Sequence, residues 1–409
     1  MRDGVILSFV AVVTLILYLT LTRDSFLAND TSAHSSSTKV VANPSENAIG
    51  KTYRGGLVKS SPGRAWPGFT LYPTVGDAHV RILNMLGEPV HSWNVDAMRA
   101  QLLPNCRLLV VHGTKWGMRN APWKDLKPIV REYNWQGKVV WEYAHQSRVH
   151  HDIQRLSSGN SLFPIKVKLD AKIFRTVRHV PKGIREISSD AIVEIDAAGK
   201  ELWRWYAHEH LDMASCGRLP CSEQLNKSGW THMNTAKYLP PNKWYDNGDE
   251  RFKPGNVLTM LRNWAQAMII DKESQRVVWS YGGDYRGGLS GGHEATMIQR
   301  GLPGAGNILL FDNGRYHHTG ESIVLEINPV SKKIVWKYED GERFYSYAAG
   351  SVQRLPNGNT LISQDTAARV FEVTPHGEIV WEHKGNLRTA RAARYEQNYC
   401  EELSKLPLH

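Results

Sequence analysis

The sequence predicts an all-β chain, a six-bladed β-propeller behind an N-terminal transmembrane anchor helix, and three observations predict it. A strand that closes on tryptophan occurs six times, at Trp93, Trp141, Trp203, Trp279, Trp336 and Trp381. Most of these are followed by a Leu-Pro-Asn-Gly-Asn turn or a variant, as at residues 103–107, 156–160, 302–307 and 355–359. Beyond the N-terminus no long stretch spaces its apolar residues at the helical period, and 14 Trp, 16 Tyr and 34 Gly suit short strands and tight turns.

Taken in order, residues 5–22 form an uncharged apolar run. About 18 such residues are just long enough to cross a bilayer as a helix. Arg2 and Arg23 flank the run, and no small-x-small cleavage site follows closely. The expectation is therefore an uncleaved signal anchor over residues 1–23, single-pass in the cell membrane, with the rest of the chain on the periplasmic side. Residues 24–65 are rich in Ser, Thr, Asn, Gly and Lys and read as a flexible linker.

From 66 to 396 each unit reads as two hairpins. In the first, a strand and polar turn lead to the return strand that ends on Trp. In the second, Asn and Gly supply the positive φ of a tight turn. The third copy is stretched, with a polar insert between Leu239-Pro240 and Gly255-Asn256. Four strands per unit and a period of about 45–75 residues match propeller blades. A β-sandwich gives no reason for the same marks to recur. The segment Arg391-Ala392-Ala393-Arg394-Tyr395 is placed to supply a closing strand to the first blade, ahead of a C-terminal tail at 397–409.

Formal charge is +10, which suits anionic small molecules or a membrane surface. No Lys/Arg run interleaved with aromatics is present, so nucleic acid is not an expected partner. No Gly-rich phosphate loop occurs either, and no cofactor is expected. Of the four cysteines, Cys216 and Cys221 bracket a Gly- and Pro-containing turn, which in an exported chain reads as a local disulfide.

In a propeller, residues at one repeat phase converge at one end of the central channel. Aligned on the turns, His151 and His293 share such a phase with Met98 and Ser351, His150 is adjacent to the first, and His232 is anchored there by its own context. Convergent imidazoles suit general acid–base work, nucleophilic attack or metal binding. Asp152 and Glu294 follow two of them, but strand alternation would turn those carboxylates away from the channel, so no metal site is expected. Arg262 offers a forked cation for a tetrahedral oxyanion, and Lys166 and Lys168 could add to an anion-attracting field.

The passages Trp230-Thr231-His232-Met233-Asn234-Thr235, residues 244–252, residues 301–314 and residues 371–381 resemble the bacterial arylsulfate sulfotransferases, enzymes that transfer sulfuryl groups without a nucleotide donor. The resemblance runs from about Phe69 to Tyr395. It implies ping-pong transfer from an aryl sulfate to a phenol through a sulfohistidine, with small phenols and aryl sulfates as partners. It puts the nucleophile on His232, within the Trp-Thr-His-x-Asn context, and a second catalytic histidine on His151, protonating the leaving phenolate. Arg262 and His293 complete the expected catalytic set. His150, Asn234 and Lys168 are expected at the substrate, and the Cys216–Cys221 disulfide lies upstream as in the family. Two departures stand out. An earlier blade carries Met98 where a further histidine is expected, with His112 the nearest substitute, and residues 24–65 hold no β-sandwich. The alternatives are a non-catalytic propeller that binds an anionic ligand or partner protein, and a metal-dependent hydrolase using the same histidines.

Overall fold

The structure, a computed structural model, describes residues 52–409 apart from 178–179, 181–182, 220, 222–228 and 317–319. The anchor and most of the linker lie outside the described residues. Among those described, no helix is long and apolar enough to cross a membrane.

The six tryptophan-marked repeats fold as six antiparallel sheets. Blade 2 runs through Arg99–Leu102, Leu108–Val111, Ile129–Tyr133 and Val139–Ala144. Blade 3 uses Gln154–Arg155, Ser161–Asp170, Glu186–Ile195 and Glu201–Tyr206. Blade 4 is Met233–Tyr238, Val257–Leu261, Gln266–Ile270 and Val277–Tyr281, and blade 5 is Glu294–Met297, Ile308–Asp312, Ile323–Ile327 and Ile334–Tyr338. Blade 6 holds Ser351–Arg354, Thr360–Gln364, Arg369–Val373 and Ile379–Gly385. The far end of the expected linker is ordered: Gly55–Ser60 adds a fifth strand to the outer edge of blade 6.

Blade 1 takes three strands from Phe69–Thr74, His79–Leu83 and Pro89–Asn94. Its innermost strand is Ala393–Tyr395, which pairs Tyr395 with Phe69 and Ala393 with Leu71. The closing strand expected from the sequence is therefore present. A disulfide between Cys106 and Cys400 fastens the same closure across 294 residues of chain. The sequence analysis paired only the local cysteines; the distant pair becomes neighbours once the ring closes.

The recurring tryptophans have a specific task. Each indole N–H donates to a backbone carbonyl in a turn of the next blade: Trp93 to Asn134 (2.9 Å), Trp141 to Ala197 (3.1 Å) and Trp203 to Lys272 (3.0 Å). Trp279 reaches Pro329 (2.7 Å), Trp336 reaches Pro375 (2.8 Å), and Trp381 completes the circuit at Met85 (2.9 Å). Apolar packing follows the same logic. The core is divided into wedges between successive blades, such as Leu162, Ile192 and Trp205 of blade 3 against Met233, Val257 and Met268 of blade 4. A blade thus buries both faces, and its middle strands, such as Val257–Leu261, are apolar-rich and buried throughout.

Candidate active site

The expected histidines sit in the loops that lead into the innermost strands. His151 and His232 both take left-handed backbone conformations, with φ of 64° and 51°. Hydrogen bonds to the second strand of each blade fix these loops. The His232 carbonyl accepts from Arg262 N (3.1 Å), His150 N donates to Pro164 O (3.1 Å), and His293 N donates to Phe311 O (2.9 Å). Upstream, the Cys216–Cys221 disulfide is formed. Its loop docks on blade 4, where the Trp230 indole donates to Ser215 O (2.8 Å) and stands edge-on to Trp264.

This folding brings His151 and His232 edge to face, with ring centroids 4.9 Å apart. Both stay partly exposed, whereas His293 is buried and its Nδ1 lies 2.6 Å from Asn313 Oδ1. Burial holds His232 well below the usual imidazole range, reinforced by Arg262, Lys166 and the other histidines. Burial also holds His151 and His293 well down, with further contributions from nearby charged groups. All three are neutral at pH 7, the form in which an imidazole nitrogen has a lone pair to give.

Behind His151 stands a relay: His150, expected at the substrate, is instead fully buried between His151 and Asp190, and Asp190 itself was missed by sequence reasoning. His151 Nδ1 lies 2.6 Å from His150 Nδ1, and His150 Nε2 lies 3.0 Å from Asp190 Oδ1, a short but bent contact. Burial would raise the Asp190 carboxyl, but Lys166 and His150 outweigh it and hold Asp190 far below the carboxylate range. Burial pushes His150 down to about 4, so it is neutral. A bare nitrogen 3.0 Å from a carboxylate would set lone pair against lone pair, so His150 carries its proton on Nε2. Its Nδ1 must then accept, and His151 must donate from Nδ1. The Nε2 of His151 is left as a proton acceptor in the resting state. An acidic residue at the centre of a strand as buried as Glu186–Ile195 was the available signal for Asp190.

Arg262 lies beside His232 and His293 and lowers the proton affinity of both. Its Nε donates to Asn263 Oδ1 (3.1 Å), an oxygen also held by the Tyr316 hydroxyl at 3.0 Å. Burial lowers its own pKa to about 10, so it remains a cation at pH 7. Among the described residues it forms no ion pair with a carboxylate. A buried guanidinium with no ion-pair partner among the described residues, beside neutral imidazoles, is chemically suited to receive an anion. Asn234 braces the site: its Nδ2 donates to Gly292 O (2.9 Å), and its Oδ1 has no hydrogen-bond partner among the described residues.

Three expectations are corrected. Lys168 does not join the cluster; its ammonium pairs with Glu186 at 2.8 Å and its side chain is 72% exposed. Lys166, on the same strand but nearer the axis and 20% exposed, supplies the cation through Asp190 at 2.6 Å. Asp152 and Glu294 do not turn away from the channel. Asp152 meets Arg99 (3.1 Å), Lys237 (3.1 Å) and Arg391 (3.8 Å), and Arg391 reaches Glu294 at 3.2 Å. The histidines lie in lead-in loops rather than in the pleat, so period-two alternation does not relate them to the residues that follow. His112 is no substitute for the missing histidine. It is buried with Nδ1 on Asp96 O (2.8 Å) and Nε2 near the Tyr133 hydroxyl (3.2 Å), while Met98 lies at the site, its sulfur accepting from His151 N. Among the described residues no group of three or more His, Cys, Asp or Glu is arranged to hold a metal ion.

Comparison with known proteins follows this geometry. No curated protein matches the chain significantly. Among solved structures, a Bacteroides caccae protein of unknown function is 11% identical, with 80% of this chain and 99% of that one covered and a TM-score of 0.50. Virginiamycin B lyase from Staphylococcus aureus is 10% identical over 81% of this chain and 74% of that one, with a TM-score of 0.35. The first carries the fold alone. The family model for arylsulfotransferase (ASST) matches residues 129–386, the span that contributes His150, His151, His232, His293, Lys166 and Arg262. The chain belongs to the arylsulfotransferase family.

Proposed function

We propose that this protein is an aryl sulfotransferase working by a ping-pong mechanism with His232 as nucleophile. The observation that carries the reading is the neutral His232 imidazole, edge to face with His151 and beside the unpaired Arg262 cation. A nitrogen lone pair of His232 attacks the sulfur of an aryl sulfate. The N–S bond forms as the S–O(aryl) bond breaks, and the phenolate leaves with the electron pair. The bound sulfate anion favours uptake of a proton from solvent on His151 Nε2, bare in the resting site, and His151 then gives that proton to the phenolate oxygen. In the second half-reaction the hydroxyl oxygen of an acceptor phenol attacks the same sulfur, its proton passes to His151, and the N–S bond breaks. Arg262 holds the sulfuryl oxygens throughout. Asp190 and His150 orient His151 and stabilise it when charged, which suits a group that must both give and accept a proton. No nucleotide donor is needed, because imidazole is both a nucleophile and a tolerable leaving group near neutral pH.

The reading includes export, with residues 1–23 as an uncleaved membrane anchor and the propeller on the periplasmic side. Support comes from the uncharged run 5–22. Fractionation of cells expressing the full chain, with protease added outside the inner membrane, tests it.

The enzymatic reading is tested by incubating the protein with 4-nitrophenyl sulfate alone and mapping the product by mass spectrometry. A gain of one sulfuryl group on His232, discharged by added phenol, is expected. Nitrophenol release by His232→Ala equal to wild type would overturn it.

A further inference from the structure

A cleft of about 500 Å³ opens between blades 2 and 3, beside the histidine cluster. Its walls carry Lys127, His145, Arg148, Lys166, Lys168 and Arg204, and among the described residues no carboxylate lines it. Several of these cations are already matched: Lys166 with Asp190, Lys168 with Glu186, and Arg204 with Glu201. Arg148 and Lys127 are different. Among the described residues neither forms an ion pair. Arg148 is partly buried, donates one hydrogen bond from its guanidinium to Gly113 O (3.0 Å), and leaves its buried Nε without a partner. Desolvation lowers its proton affinity with nothing opposing it. Burying a guanidinium with a donor left unmatched costs free energy, and an anion seated in the cleft would recover it.

The cleft is also wired to the site. Lys166 N donates to Arg148 O (2.9 Å), and Lys166 Nζ bonds Asp190 Oδ1, the oxygen that faces His150. Arg148 itself lies near enough to bias His150. A volume of this size holds an aromatic ring with a substituent.

We propose that this cleft is a second anion subsite, in which Arg148 and Lys127 bind a carboxylate or sulfate carried by the aryl substrate away from its reacting oxygen. The inference rests on the aryl sulfotransferase reading and narrows its substrates to phenols that bear a further anionic group. Either the donor or the acceptor can carry that group.

The test compares 4-hydroxyphenylacetate with 4-ethylphenol as acceptors from 4-nitrophenyl sulfate. A second arm compares the sulfate esters of the same two phenols as donors. In one arm the carboxylated member is expected to show a KM lower by roughly tenfold. That preference should fall toward unity in Arg148→Met and survive in part in Arg148→Lys. The arm in which it appears identifies the half-reaction the cleft serves. Equal KM values in both arms, or a preference untouched by Arg148→Met, would overturn the subsite. Calorimetric titration of the protein with 4-hydroxyphenylacetate separates this result from failure of the enzymatic reading. Binding that Arg148→Met abolishes, in a protein that transfers no sulfuryl group, keeps the subsite and removes the chemistry. Absence of binding to wild type removes the subsite.

Discussion

Asp190 and Met233 are joined across two blades by a hydrogen bond from the Met233 amide to Asp190 Oδ2, 3.0 Å long. The Thr231 hydroxyl donates to the same oxygen. One carboxylate therefore grips both residues that flank His232, while its other oxygen faces His150 and Lys166. His232 and His151, the proposed nucleophile and proton carrier, are positioned by a single side chain.

Asp190→Asn is accordingly expected to lower kcat by roughly 10²–10⁴-fold, the range that general acid–base groups supply. KM for the donor should change much less, because Arg262 is untouched. The variant also leaves Lys166 without its buried counter-charge. Breaking such a pair costs about 3–5 kcal/mol. Steady-state kinetics with urea unfolding measures both effects, and an unchanged kcat would rule out the positioning role.

Activity should persist into acid further than an ordinary imidazole allows. Because burial depresses His232 well below 6.5, the acid limb of kcat/KM, where the nucleophile becomes protonated, is expected below that value. Stability moves in the same window. A histidine whose folded pKa is lowered binds its proton first in the unfolded chain. For His150, stability is therefore lost as pH falls from about 6.5 to its folded value of about 4. A pH–rate profile with an inflection at or above 6.5 would contradict the desolvated site.

The two disulfides should divide their effects. In the chain-entropy account, a bridge spanning 294 residues contributes roughly 5–6 kcal/mol, and one spanning 5 residues roughly 2 kcal/mol. Paired Cys106→Ser and Cys400→Ser replacements should cost mainly unfolding free energy. Replacing Cys216 and Cys221 should cost less stability but lower turnover, since their loop packs against Trp230 and Trp264 just before His232. Denaturation and kinetics on the two double variants check the division.

Removing one indole donor should weaken one joint of the ring. Trp279→Phe keeps the aromatic body of a buried residue but leaves the Pro329 carbonyl without its 2.7 Å donor. A loss of about 1–3 kcal/mol is expected. Urea titration measures it, with donor KM expected to stay near wild type because no active-site group touches this turn.

The blades were legible because each repeats a local requirement: an indole that must find a carbonyl next door, and a turn that needs positive φ. His151, His232 and His293 were legible because repeat phase maps onto the axis, and Arg262 because a forked cation on the strand segment that follows His232 suits an oxyanion. Asp190 was not, because a strand buried on both faces has no alternation to mark the one side chain aimed at the axis. The direction of Asp152 and Glu294 escaped for the opposite reason, since alternation was assumed where the chain is looped. Lys166 and Lys168 share a strand face, and only the reach of that strand beyond the blade separates them. Cys106 and Cys400 are neighbours solely through ring closure.

The strand that closes the ring brings Arg391 with it. That guanidinium ties Glu294 to the carbonyls of Asn234 (2.7 Å) and His293 (3.1 Å), drawing together the lead-in loops of blades 4 and 5. Every other member of the histidine cluster precedes it in the chain. During synthesis the nascent protein therefore carries its reactive imidazoles for most of its length without the keystone that sets them. Interrupted translation or C-terminal trimming upstream of Arg391 would yield an open ring with an unassembled centre. Under the proposed function, such a chain would lack the arrangement its chemistry requires until its final strand is in place.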